Sequence, residues 1–108
     1  MAKFVTIGYG DQAGYDSTDA DVRNAAHTHD AQLRLDGVVM GIAGQAVQVR
    51  NHDAAEVTTK AGAFMTSELP IAGFAIIEAA TLDEAITIAS QAPCAVAHGV
   101  VEVWPLHE

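Results

Sequence analysis

His27-Thr28-His29-Asp30 puts two imidazoles and a carboxylate within four residues, the side-chain types used for proton transfer and for holding metals. Histidines two apart converge on one ion only along a strand. On a helix they diverge by about 200°. The surrounding pattern is helical, so the run is not read as a metal site. His29 falls on the same helical face as Val22, Ala25, Ala26 and Leu33, where a titratable ring could reach a pocket between helix and sheet, whereas His27 points away from that stripe. The simpler reading of His29 is a histidine at the core edge held by a backbone or water partner.

Two carboxylates, Glu78 and Glu102, interrupt otherwise apolar runs. Each either reaches solvent at a sheet edge, pairs with Arg23, Arg34 or Arg50, or sits in a pocket as a proton acceptor. Asp83 and Glu84 read as cap and dipole residues at a helix start. His52 lies in a turn signal, and His98 and His107 flank the last apolar run, which makes surface positions the default for all three. Cys94 follows Pro93 in an apolar stretch without a basic neighbour, the setting of an inert, partly buried thiol rather than a nucleophile.

These residues need elements to position them. Lys3–Tyr9, KFVTIGY, is β-branched and aromatic and stops at Gly10-Asp11, so a strand is predicted. GDQAGYDST has two glycines and no period, and reads as a loop. Thr18 with Asp21 resembles a capping box and Gly37 supplies a left-handed stop, which brackets a helix over about 19–36. VVMGIAG and AVQVRN follow as extended runs. The Asn51-His52-Asp53 turn and EVTT then make residues 46–60 a small hairpin. GFAIIEA is a strand. Thr81 caps a helix over about 82–91 with Leu82, Ala85, Ile86 and Ala89 buried and Pro93 beyond its end, and GVVEVWPL closes the fold. The order is β-α-β, hairpin, β-α-β, which predicts an α+β, ferredoxin-like split βαβ fold with an inserted hairpin, both helices on one sheet face.

The other face should then alternate to polar residues. It does not: Phe74 and Ile76 oppose Ala75 and Ile77, and Val100 and Trp104 oppose Val101 and Val103, so both faces are apolar. Soluble monomers seldom expose such a patch, and a homodimer formed sheet to sheet is expected. The alternative is that loops or the hairpin fold over that face.

Composition narrows the partners. A chain of 108 residues, half apolar, is one domain long, 1–108. With 14 acidic residues against 5 Lys plus Arg the net charge is −9, which disfavours nucleic acid and anionic membrane surfaces as partners. The lone cysteine forms no internal disulfide and the opening MAKFVTIGYG has neither a signal-type apolar region nor a spanning segment, so a cytoplasmic, soluble protein is expected. No glycine-rich dinucleotide fingerprint or phosphate loop is present, and no cofactor is expected.

GAFMTSELPIAGFAIIEAATLDEAITIASQAP followed by GVVEVWPL resembles the DGPF branch of the YCII-related family. Members share D-G-P-F-x-E-T-K-E-x-x-G-G-F-x-x-I-E-A, then L-D-E-A, then V-E-V-R-P. Gly62, Phe64, Gly73-Phe74 and Ile77-Glu78-Ala79 fall on the first block, and Leu82-Asp83-Glu84-Ala85 and Val101-Glu102-Val103 with Pro105 on the others. Upstream, IGYGDQ and LRLDGVVMGIAG resemble the family's opening strand and its helix end with second strand. The resemblance implies a dimeric α/β-barrel. This chain departs from the motif at Ala61, Ala63, Thr66 and Glu68, where the family has Asp, Pro, Glu and Lys. The stretch keeps its backbone glycines and loses polar groups, as a connection would. Some relatives also carry a helix histidine paired with an aspartate before a proline; here that position is Ala92, and His27 and His29 both lie near the histidine's place.

The candidate catalytic residues are thus His29 and Glu78, with His27, Phe64, Phe74 and Trp104 as pocket candidates. Three functions remain. A homodimeric small-molecule-binding or regulatory protein with a degenerate acid–base site fits best, and the association of some family members with alternative sigma factors makes regulation conceivable by resemblance. The second is a cofactor-independent lyase or hydrolase using a helix histidine, and the third a dimerisation module without ligand.

Overall fold

The computed structural model describes residues 1–108. Strand β1 (Ala2–Tyr9) leads into α1 (Gln12–Asp16), α2 (Ala20–Leu35), β2 (Val39–Ile42), β3 (Val47–Arg50), a 3₁₀ turn (His52–Ala54), β4 (Thr58–Ala61), β5 (Ile71–Ala79), α3 (Leu82–Ala89), α4 (Pro93–Val96) and β6 (Val100–Leu106). The four-stranded sheet has the order β2-β5-β1-β6 with all pairs antiparallel. That order is compatible with the ferredoxin-like α+β fold. β3 and β4 form a separate two-stranded sheet, the inserted hairpin.

Helix starts follow local chemistry. Asp11 caps α1 by accepting the Gly14 N–H at 2.8 Å, a signal within GDQAGYDST that a loop reading passes over. Asp19, not Thr18, is the cap of α2, accepting the Asp21 N–H at 2.8 Å. Thr18 is instead buried and donates to the Gly14 carbonyl at 2.8 Å, tying α1 to the start of α2. Gly37, at φ 93°, ends α2 as expected, with Val38 N–H returning to the Leu33 carbonyl at 3.0 Å. Thr81 caps α3 through the Glu84 N–H at 3.2 Å.

The buried stripes are narrower than expected. On α2 the inward positions are Ala26, Arg23, His29, Asp30 and Leu33, while Val22 and Ala25 are exposed. The helix packs on α4, where the Asp30 charge acts on Cys94, while Val22 lies exposed. On α3 Ala85 and Ala89 are buried and Ile88 is half-buried, whereas Leu82 and Ile86 are exposed. Small side chains let the α3 backbone approach the sheet. Pro93, read as a residue past a helix end, is the first residue of α4, where its missing N–H is harmless.

The core lies between helices and sheet. Phe4, Ile77, Ala79 and Ala85 form its centre, joined by Val38, Ala75, Ile88 and Val103. Only 11 of the 108 residues are buried, so the single chain leaves much apolar surface wet. Its radius of gyration is 15.7 Å, against about 13 Å for a compact chain of this length. The hairpin strands pair chiefly with each other, and Val47, Val49 and the neighbouring Val57 stay exposed.

Candidate functional site

Strand register defines the face that no helix covers. Val39, Ile76, Val5 and Trp104 lie side by side across β2, β5, β1 and β6; Gly41, Phe74, Ile7 and Glu102 make the next row, and Ile71, Tyr9 and Val100 a third. At the other end Lys3 stands between Glu78 and Leu106. Trp104 and Phe74 are 53% and 47% exposed, while Tyr9 is only 7% exposed.

The Tyr9 end is shielded by the connection between β4 and β5. Ser67 donates to the Leu69 carbonyl at 2.8 Å and accepts the Leu69 N–H at 3.2 Å, a local turn that stiffens it. The Pro70 carbonyl then accepts the Gly10 N–H at 3.1 Å, holding the segment beside the end of β1. Met65, Thr66, Ser67 and Leu69 consequently wall two open clefts. One, of about 450 Å³, lies towards Ala43–Ala46 and Phe74; the other, of about 470 Å³, lies over Tyr9, Val100 and Glu102. The stretch expected to be a mere connection therefore also builds walls.

In the second cleft the Tyr9 hydroxyl donates to Oε1 of Glu102 at 2.5 Å, diagonally across the β1–β6 ladder. That hydrogen bond, reinforced by burial and by the Glu102 charge, raises the Tyr9 pKa above its ordinary 10.0. The sequence alone offers Glu102 beside Glu78 and does not single out Tyr9. Its signal was parity: Tyr9 and Glu102 share a face only in the register that the fold imposes.

The other sequence candidates are dispersed. His29 Nε2 lies 3.0 Å from the Ile88 carbonyl, and since a carbonyl only accepts, Nε2 carries the proton and clasps α2 to α3. Glu78 is exposed on the uncovered face, opposite Lys3, so the sheet stands between it and His29. His27 is exposed and hydrogen-bonded to the Tyr15 hydroxyl at 2.8 Å, with Arg23 stacked 4.8 Å over the same ring. Phe64 is exposed, with the Arg50 guanidinium 5.9 Å above its ring. Phe74 is the pocket candidate that lines a described cleft, and Trp104 lies on the open face two strands away.

Behind the sheet, Asp30 is partly buried between charged neighbours. Desolvation raises its pKa, and the charges of His29, Arg34 and His27 oppose the rise. Burial, with a contribution from the Asp30 charge, pushes the Cys94 thiol up, as befits an inert thiol. No three His, Cys, Asp or Glu side chains converge to hold a metal ion, and no helix is long and apolar enough to cross a membrane.

No curated protein matches the chain. The YCII-related domain model matches residues 2–108, which is nearly the whole chain. The split βαβ order and the motif blocks on β5, α3 and β6 agree with that match, and the chain belongs to the YCII-related family.

Proposed function

We propose that this chain is a homodimeric small-molecule-binding or regulatory protein of the DGPF branch, working in the cytoplasm, with a degenerate acid–base site. The observation that carries this reading is the cleft walled by Met65, Thr66, Ser67 and Leu69 over the uncovered sheet face, with a polar pair, Tyr9 and Glu102, set among Val100, Leu69 and Met65. Apolar walls with a few fixed polar groups are the usual make-up of a ligand site. A second copy fits the remainder of the face, because the row Val39, Ile76, Val5 and Trp104 is apolar throughout and a twofold axis would lay it on itself. The two sheets would then enclose the barrel that the family resemblance implies. What supports degeneracy is Ala92, which stands where catalytic relatives have an acid.

A cofactor-independent proton-transfer enzyme is the second reading. One observation favours it: Tyr9 and Glu102 share a short hydrogen bond inside a cleft that substrate can enter, as an acid–base step requires. In that case the pair, rather than His29 with Glu78, would act.

Thermal-shift screening of a metabolite library separates these readings from a module without ligand. A compound present at a hundred times its Kd stabilises the folded state by about 2.7 kcal/mol, a readily measured shift in Tm. Hits followed by turnover assays divide binding from catalysis. A library without a single stabilising compound would leave the dimerisation module.

A further inference from the structure

We propose that the Tyr9–Glu102 pair receives the ammonium group of a small organic cation, an amine with an apolar body. This rests on the reading of the cleft as a ligand site and names the class of ligand. The phenol has one proton and donates it in the hydrogen bond to Oε1 of Glu102 at 2.5 Å. What the pair still offers an incoming group is lone pairs only, on both carboxylate oxygens and on the phenolic oxygen. A ligand must therefore bring donors.

The rest of the lining carries no positive charge. Met65, Leu69 and Val100 are apolar, and the remaining polar side chains are Thr66 and Ser67. The Ser67 hydroxyl is already committed, donating to the Leu69 carbonyl and accepting the Leu69 N–H. No Lys, Arg or His lines the cleft, so nothing there would neutralise an anion. The basic residue on this face, Lys3, lies at the far end of β1, beyond the Val5 and Ile7 rows. An anion brought against Glu102 would meet an unpaired like charge, whereas an ammonium would complete a charge-assisted hydrogen bond. The net charge of −9 raises the local concentration of cations in the same sense. A cleft of about 470 Å³ has room for one ring and a short chain.

The test uses two probes with the same phenethyl body and head groups of opposite charge, phenethylamine and 3-phenylpropionate, titrated into the isotope-labelled full-length protein. Phenethylamine is expected to shift the signals of Met65, Leu69 and Val100 saturably, and 3-phenylpropionate to leave them still. In Glu102→Gln, which keeps the side-chain volume, the amine's affinity should fall roughly tenfold or more. Chemical shifts remote from the cleft report that the variant is folded. If 3-phenylpropionate binds there as well as the amine does, or if Glu102→Gln leaves amine binding unchanged, the cation assignment fails while the cleft remains a ligand site. If neither probe moves those signals, the assignment also fails. The broader ligand-binding reading stands or falls separately, on the metabolite screen.

Discussion

The Tyr9 hydroxyl and Oε1 of Glu102 are 2.5 Å apart on the sheet face that no helix covers, and the carboxylate makes the phenol hold its proton beyond the ordinary range. The folded-state pKa is the raised one, so the stability this pair contributes is complete below the unfolded value of 10.0 and is lost as pH rises through the folded value. In a Tyr15→Phe background, where Tyr9 is the remaining tyrosine, Glu102→Gln should move the phenolate absorbance transition to lower pH. An unchanged transition would mean that the pair does not form in solution.

His29 clasps α2 to α3 through the Ile88 carbonyl. His29→Ala should cost about 1 kcal/mol in urea unfolding, the net worth of one hydrogen bond, and leave cleft ligands bound as before. Loss of ligand affinity without loss of stability would place the site behind the sheet.

Asp30 carries a carboxyl whose pKa burial raises, so the folded chain grips its proton more tightly than the unfolded chain does. Its contribution to stability is complete below the unfolded value of 3.8 and declines as pH rises through the raised folded value, which leaves the ionised form destabilising at neutral pH. Asp30→Asn should therefore raise the urea midpoint at pH 7. The gain should be below about 1 kcal/mol, since solvent screens a group this accessible, and should shrink in acid.

A Cβ on Gly8 would sit 2.9 Å from Cys94 Sγ, closer than packed atoms approach. Gly8→Ala should cost about 1–3 kcal/mol by overpacking. Adding Cys94→Ala removes the sulfur and should restore most of that loss. A double variant no better than the single one would place the strain elsewhere.

These cases show which features were legible in the sequence. The sheet strands, the two principal helices, the hairpin and the apolar second face follow from short-range patterns, because period, caps and turn residues act within a few positions. Helix α1 escaped because its five residues, QAGYD, are too few for a period, and only the Asp11 cap marks it. On α2 apolarity alone selects Val22 and Ala25, which the fold leaves exposed, while it turns Arg23 and Asp30 inward. The site was least legible. Glu78 and Glu102 look alike in apolar strands, yet register sets Glu78 opposite Lys3 and Glu102 diagonal to Tyr9. His29 and Glu78, grouped by residue type, lie on opposite sides of the sheet.

The proposed dimer has its own readout. Sedimentation equilibrium at micromolar concentration should give twice the 11.3 kDa protomer mass, and Trp104→Glu should shift it towards monomer. Trp104, 53% exposed in one protomer, should emit as a shielded indole in the dimer. A monomer with hydrated tryptophan emission would contradict the assembly.

Chemical-shift mapping with the strongest compound from the thermal-shift screen reports whether ligands bind on the uncovered sheet face. Tyr9, Met65, Thr66, Ser67, Leu69, Val100 and Glu102 should move together while His29 and Ile88 stay in place. Shifts centred on His29 and Ile88, with the Tyr9–Glu102 cleft unmoved, would contradict binding on that face.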